Sequence, residues 1–335
     1  MKSIEKYWDQ PTPASWLLLV LLSPLSLVYC ALVVLRRKLY MKGVLKSQKA
    51  DIPVVVIGNI VVGGSGKTPL LIALCEYVKS KGYKPGVVSR GYGGRYGDSN
   101  SDVKQVAVDD TAELVGDEPL MIHQRTGVPV VVCADRARAV EKLLADNDCD
   151  IVFSDDGMQH YRMARDMEIA VVDAERRFGN GFTLPAGPLR ERRSRLDETD
   201  LVVFNGQVGG HCSYSLQGRT VKQVAGVVSK DISEFSPQST IHAVAGIGNP
   251  ARFFDQLRRS GFEVIEHAFA DHHQYQQQDF DGWQDDCIIM TEKDAVKCIN
   301  LALADAWYLE VEAVFSDLLE AQLEEKLLPL LNSVD

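Results

Sequence analysis

Residues 54–69 read VVVIGNIVVGGSGKTP, an apolar run that breaks into Gly63, Gly64, Ser65, Gly66, Lys67 and Thr68 before a helical pattern begins. Glycines at such places let successive backbone N–H groups turn inward round phosphate oxygens. The helix that follows offers its positive end to the same anion. Lys67 then reaches the β- and γ-phosphates, and the Thr68 hydroxyl ligates Mg²⁺. The strict motif carries glycine at position 61, where this chain has Val61. The chemistry implied is phosphoryl transfer from a nucleotide, in which a protein positions the reactants and neutralises charge.

Such a loop needs a carboxylate for its metal, usually on a neighbouring buried strand. IVFSDDG (151–157) ends an apolar run with Asp155 and Asp156. Adjacent carboxylates repel unless a cation or donors lie between them, and either of the two can take the metal on this reading. VVDAE (171–175) is a rival acidic strand end. A guanine-specific GTPase should carry N/T-K-x-D, whereas Thr291-Glu292-Lys293-Asp294 has its lysine one place late. The deviant loop of membrane-sliding ATPases needs lysine at position 62, where Val62 stands. SRGYGG (89–94) offers a second anion-binding turn through its backbone and Arg90. GDEP (116–119) opens or interrupts a helix with Asp117 and Glu118. PAGPLRERRSR (185–195) concentrates arginines in a loop suited to phosphate or a phosphorylated sugar. ADHHQY (270–275) sets Asp271, His272 and His273 after a strand, where a histidine beside a carboxylate can do acid–base work.

These residues need a scaffold. Val54–Ile57, Gly86–Ser89, Val128–Val132, Ile151–Ser154, Ile169–Val172 and Leu201–Phe204 are short, nearly unbroken apolar runs. Helical patterns near 69–81, 111–125 and 135–147 lie between them. Buried Val/Ile runs alternating with helices indicate a parallel sheet covered on both faces. Residues 207–237 are more polar and read as a hinge. The alternation then resumes with strands at His242–Ala245, Glu263–His267, Cys287–Met290 and Trp307–Val311. A helix at 250–260, capped by Asn249 and opened by Pro250, and a closing helix at 315–331 complete the pattern. The expected division is an anchor and basic stretch at 1–45, a P-loop core at 46–206, a linker at 207–240 and a second α/β domain at 241–335.

The chain has 335 residues, 46% hydrophobic and 24% charged, long enough for two domains and too apolar for a disordered chain. Lys+Arg 36 against Asp+Glu 46 leaves a net charge of −10, which argues against general nucleic-acid binding. Seven scattered cysteines with no CxxC pair indicate reduced thiols and no zinc site of the Cys type. From Trp16 to Leu35 the chain runs twenty residues without a charge, about the thickness of a bilayer's hydrocarbon core as a helix. No A-x-A cleavage site follows it, and Arg36, Arg37, Lys38, Lys42, Lys46 and Lys49 come directly after. An uncleaved anchor with the body on the cytoplasmic side is therefore expected, with Pro24 a place where the helix could kink or dip.

Taken together these segments resemble the tetraacyldisaccharide 4′-kinase family, the lipid A 4′-kinases of Gram-negative envelope synthesis. The resemblance covers nearly the whole chain and rests on the apolar N-terminal helix, IGNIVVGGSGKTP, SRGYGG, GDEP, DDGMQH, LPAGPLRE, AGIGNP, ADHHQY and TEKDAVK, in the family's order. Val61 is shared by that family's loop. The resemblance implies an α/β fold with a P-loop NTPase-like parallel sheet sandwiched by helices, a second smaller α/β domain and an N-terminal membrane helix. It implies ATP and Mg²⁺, and transfer of the γ-phosphoryl to the 4′-hydroxyl of a tetraacyldisaccharide 1-phosphate, the lipid A precursor, at the bacterial inner membrane. Ser65, Lys67 and Thr68 match the residues that hold phosphates and metal, and Asp155 and Asp156 the metal-side acids, with Gln159 beside them. Asp117 matches a carboxylate that deprotonates the hydroxyl with a histidine; that histidine matches His272, and His273 fills a variable place. Arg190 and Glu191 match a further active-site pair.

Overall fold

The computed structural model describes residues 8, 12–98, 102–236 and 238–332. The start of the expected 1–45 segment and the last three residues of the expected 241–335 domain lie outside the described residues. In chain order the first strands are β1 (Val54–Gly58), β2 (Pro85–Ser89), β3 (Lys104–Gln105), β4 (Val130–Val132), β5 (Ile151–Asp155), β6 (Met167–Asp173), β7 (Leu201–Asn205) and β8 (Ser213–Gln217). A second sheet follows from β9 (Thr220–Gln223), β10 (Ser229–Asp231), β11 (Thr240–Ala245), β12 (Glu263–Ala268), β13 (Cys287–Thr291) and β14 (Asp305–Leu309). The chain then returns, and β15 (Glu312–Phe315) joins the first sheet.

The larger sheet has the order β15-β8-β7-β6-β1-β5-β2-β4-β3, and the smaller β10-β9-β14-β13-β11-β12. From β8 to β4 every pairing in the larger sheet is parallel, and only the edge strands β15 and β3 run antiparallel. The central strands β1, β2 and β5 are buried along their whole length, which is why their sequences are apolar runs and do not alternate. Parallel order also brings the carboxyl ends of β1, β5 and β2 to one edge. Loops leaving those ends are where ligands bind in such sheets.

The helices are α1 (Pro13–Met41), α2 (Lys67–Ser80), α3 (Ala112–Val115), α4 (Asp117–Thr126), α5 (Arg136–Asp146), α6 (Pro250–Arg259), α7 (Glu292–Cys298), α8 (Asp317–Lys326) and α9 (Leu328–Leu331). Leu70, Leu71, Leu74, Cys75 and Val78 bury α2 against β1 and β5, which fixes the helix whose first turn carries Lys67 and Thr68. The expected helix at 111–125 is broken in two. Gly116 adopts φ +94°, ψ 151°, a conformation closed to other residues, so α4 starts afresh with Asp117 and Glu118 in its first turn. Asn249 stands at the start of α6 as expected, but its side chain makes no capping hydrogen bond there.

Two expectations about the linker and the C-terminus are corrected. Residues 207–240, read as a hinge, hold β8 in the larger sheet and β9 and β10 in the smaller. The closing helix is two helices, and Leu319, Leu323, Leu327 and Leu331 pack into the core of the larger unit, not the second. Their i, i+4 spacing makes one apolar stripe, and β15 carries that stripe to the larger sheet by pairing with β8. The chain therefore crosses between the units twice.

Helix α1 is long and apolar enough to cross a membrane. Pro24 sits inside it without ending it. Proline has no N–H for the carbonyl four residues back, and Ser23 Oγ donates to that carbonyl, Val20 O, at 2.9 Å. One stripe of α1 docks on the body: Ser26 Oγ lies 2.7 Å from Thr183 Oγ1, the Tyr29 hydroxyl donates to Arg190 O at 3.2 Å, and Arg37 pairs with Glu198. Cys30 is buried in the same stripe. Leu17, Val20, Leu21, Leu27 and Leu32 point away from the body, each more than half exposed. An apolar surface of this extent is stable only against lipid or another apolar partner.

Candidate active site

The P-loop leaves β1 and encloses a turn held from three sides. Asn59 Nδ2 donates to Ser65 Oγ at 3.0 Å, Asn205 Nδ2 donates to Ser65 O at 3.2 Å, and the Tyr214 hydroxyl donates to Gly66 O at 2.6 Å. Gly63 and Gly66 take φ +100° and +83°. A Cβ at Gly66 would come within 2.3 Å of Asn205 Nδ2 and 2.7 Å of the Tyr214 hydroxyl. Gly66→Ala is therefore expected to strain the turn by about 1–3 kcal/mol and to displace both clamps. Titration calorimetry should show Mg·ATP affinity weakened at least tenfold, and an unchanged affinity would mean the clamps do not shape the cradle. Asn59, Asn205 and Tyr214 were not singled out from the sequence, because asparagine and tyrosine at strand ends carry no spacing signal.

Val61 has a structural reason. It pairs across an isolated antiparallel bridge with Leu189, Val62 N donates to Pro188 O at 2.9 Å, and Arg190 N donates to Ile60 O at 2.7 Å. The first residue of the loop is thus extended and buried, where a β-branched side chain fits and glycine is not needed. The same pairing fastens the arginine-rich segment to the cradle. Arg190 Nη1 donates to Asp156 Oδ2 at 2.8 Å, and Glu191 accepts from Gln159 Nε2 at 2.8 Å and from the Tyr161 hydroxyl at 2.7 Å.

Because Ile57 of β1 is in register with Asp155 of β5, the acidic pair stands beside the cradle. Lys67 Nζ lies 3.5 Å from Asp156 Oδ1. Burial disfavours the Asp156 charge, but Lys67 and Arg190 overcome it and hold that carboxyl far below the usual range. Asp155 is pushed up to about 7, first by burial and then by Glu118 and Asp156. One of its oxygens, Oδ2, accepts from Ser89 Oγ at 3.2 Å; the other, Oδ1, is buried with no hydrogen-bond donor among the described residues. Two carboxylates and the buried Thr68 hydroxyl are hard oxygen ligands, the set that suits Mg²⁺, and the orphaned Asp155 oxygen is a place where a cation resolves an unmet charge.

The third element comes from both units. His272, at φ +60° in the loop after β12, sets Nδ1 3.0 Å from Asp117 Oδ2 and 3.2 Å from Oδ1. Asp117 is 4% exposed. Burial alone would raise its pKa, but the His272 contact, Lys293 and Lys297 hold it below the carboxylate range. Burial pulls His272 down, but its bond to Asp117 together with the charges of Asp117 and Asp271 raises it above the ordinary imidazole value. His273, the other histidine of ADHHQY, turns away and pairs with Asp279 at 3.0 Å. The SRGYGG loop packs on Gly116, where a Cβ at Gly94 would meet Gly116 N at 2.3 Å, and sets the Tyr92 ring 4.8 Å from that of His272. Arg90 is exposed past the end of β2, with Nε 3.5 Å from Gly97 O. The AGIGNP loop touches the cradle, a Cβ at Gly248 falling 2.9 Å from Gly64 N.

Comparison with known proteins gives the family. The family model described as tetraacyldisaccharide-1-P 4′-kinase matches residues 18–328. A tetraacyldisaccharide 4′-kinase from Methylobacillus flagellatus is 45% identical, covering 92% of this chain and 91% of the relative. One from Hahella chejuensis is 46% identical, covering 91% and 93%. A crystal structure of LpxK from Aquifex aeolicus in complex with ATP superposes with a TM-score of 0.75 at 26% identity, over 95% of this chain and 99% of that one. A match of such length, over a chain that carries a P-loop, a buried acidic pair and an Asp–His contact between its two units, has one reading: the chain belongs to the tetraacyldisaccharide-1-P 4′-kinase family.

Proposed function

We propose that this kinase passes the γ-phosphoryl of ATP to the 4′-hydroxyl of a tetraacyldisaccharide 1-phosphate at the cytoplasmic face of the bacterial inner membrane. The observation that carries the residue roles is the placement of Asp117 and His272, one from each unit, beside a P-loop and its acidic pair. Gly63, Gly64, Ser65, Gly66 and Lys67 hold the nucleotide's phosphates. Thr68, Asp155 and Asp156 would hold Mg²⁺, which would supply charge neutralisation to the nucleotide's phosphates. Asp117 takes the proton of the attacking hydroxyl while that oxygen bonds to the γ-phosphorus and the β,γ-bridging oxygen leaves with ADP. His272 orients the carboxylate through Nδ1 and can carry the proton onward. Arg190 and Gln159 brace Asp156 and Glu191 from the side, and Glu118 lies near enough to Asp155 to raise it. Arg90, exposed past the end of β2, supports the site from its rim.

The acceptor's position follows from α1. A cavity of about 210 Å³ opens in the seam between α1 and the body, lined by Tyr29, Val33, Arg36, Gln159, Tyr161 and Arg190. Its two arginines and two phenols suit a phosphorylated sugar, while the exposed leucines of α1 continue into the acyl region of a bilayer. The basic residues after Leu35 lie where an anionic leaflet attracts them, at about 1 kcal/mol each.

The test is transfer of labelled phosphate from ATP to a tetraacyldisaccharide 1-phosphate in detergent micelles by purified protein. A membrane-tethered nucleotide switch would bind Mg·ATP without labelling the lipid, and that outcome would end the kinase reading. Alkaline carbonate extraction of cell membranes should leave the full-length protein in the pellet. Its release into the supernatant would remove the anchor assigned to α1.

A further inference from the structure

The TEKDAVK segment supplies a residue that neither the phosphate cradle nor the proton-accepting pair accounts for. Lys293 stands in the first turn of α7, its side chain 14% exposed. Its Nζ lies 3.0 Å from Glu118 Oε1, 3.0 Å from Asp271 Oδ1, 3.5 Å from His272 Nε2 and 4.0 Å from Asp117 Oδ2. Glu118 belongs to α4 of the larger unit and Asp271 to the loop of the second, so one ammonium joins the two segments that carry the pair. Burial opposes its charge, but Glu118, Asp117 and Asp271 keep Lys293 protonated well above the usual lysine range.

The charged groups facing the pair come from three elements. His272 meets Asp117 of α4 on its Nδ1 side, and Lys293 of α7 and Asp271 of its own loop on its Nε2 side, with the Tyr92 ring against one edge. Asp117 meets His272, Lys293 and, at 3.9 Å, Lys297. Lys297 is also bound to Asp294 at 2.9 Å. Lys293 alone among the described residues reaches Asp117, Glu118, Asp271 and His272 together. A cation against two proton-binding groups disfavours the proton on both, and a buried ammonium with several acceptors restricts the loop that bears them.

We propose that Lys293 is a positioning residue of the phosphoryl transfer, clamping Glu118 to Asp271 so that His272 Nδ1 is held on Asp117. The inference rests on the reading of Asp117 and His272 as the proton acceptor. Nothing in it requires Lys293 to touch substrate. The clamp spans the two units, so it is made when they stand as they do here and is lost when they part.

The experiment compares Lys293→Met, Lys293→Gln and Lys293→Arg in the full-length protein, with kcat and KM for both substrates followed across pH. Lys293→Met should lower kcat by roughly 10- to 100-fold, up to what a misplacement of about 1 Å costs, and leave KM for Mg·ATP within about twofold. Removing the cation makes the pair easier to protonate, so the acid limb of kcat should move to higher pH by about one unit. Lys293→Arg keeps charge and donors and should restore most of kcat with the limb in place. Lys293→Gln keeps a donor for Glu118; should Lys293→Met not fold, this variant must show the same loss and the same shift. A limb that stays put in the neutral variants, or a loss confined to KM or to thermal stability, overturns the proposal. Asp117→Asn, run alongside, separates the two readings: full turnover by that variant refutes the base assignment, whereas its collapse together with an unmoved limb in the lysine variants refutes the clamp alone.

Discussion

Lys67→Ala is expected to reduce phosphoryl transfer by at least 10²–10³-fold, the cost of removing one preorganised charge from a transition state. The geometry makes the loss compound. Lys67 Nζ is 3.5 Å from Asp156 Oδ1, so the variant removes a cation both from the phosphates and from a buried carboxylate. Asp156 keeps Arg190 at 2.8 Å and Arg136 still acts on both carboxylates, but the pair Asp155–Asp156 loses the Lys67 charge that acted on each of them. Mg·ATP affinity should fall as well, because the cradle's backbone donors remain but its point charge is gone. Initial rates of lipid phosphorylation together with calorimetric nucleotide titration check both parts. Wild-type turnover by Lys67→Ala would remove the P-loop from the mechanism.

Asp117→Asn should lower kcat by about 10²–10⁴-fold, the span assigned to general base catalysis, with Mg·ATP affinity within a factor of two. The amide keeps the shape of the carboxylate and cannot take a proton. Its effect on pH dependence has a definite sign. In the native protein burial opposes the His272 charge, but the bond to Asp117 and the charges of Asp117 and Asp271 together raise it above the ordinary imidazole value, so activity should rise with pH through a limb lying above that value. With asparagine present, burial and Lys293 still favour the neutral ring of His272, and of the two carboxylates that opposed them only Asp271 remains. The residual activity should therefore lose that limb or carry it to lower pH. A stopped assay across pH in lipid micelles measures it, and an unmoved limb in Asp117→Asn would assign the titration to another group.

The two predictions draw on different kinds of information. The P-loop, the acidic strand end and the parallel sheet were legible along the chain, because each is written in neighbouring residues: Val/Ile runs for buried strands, GGSGKT for the cradle, DD at a strand end. The contact of Asp117 with His272 joins a helix of one unit to a loop of the other, far apart in sequence, and no local pattern encodes it. The family resemblance paired those residues, but the packing is what gives the pairing a distance. Gly116 is a smaller case of the same kind. The apolar period through 111–125 reads as one helix, and the break that puts Asp117 in a first turn comes from a single φ of +94°.

The C-terminal segment is the plainest divergence. Residues 315–331 have a helical stripe, and a stripe states that a core exists without naming which core. Leu319, Leu323, Leu327 and Leu331 complete the larger unit because β15 pairs with β8, a choice made by two edge strands and invisible in either alone. Val61 runs the other way: an apparent defect in the motif becomes a bridge to Leu189 once LPAGPLRE lies against it.

By itself the sequence determined the chemistry available to this protein, a phosphate cradle with acids for a metal and an apolar segment fit for a bilayer, because those features depend on residue type and short spacing. The tertiary structure decided which groups act on one another: Arg190 on Asp156, His272 on Asp117, Lys293 between the two units. Such pairings depend on how strand edges and helix faces are matched over long separations, and that is settled by the packing of the whole chain.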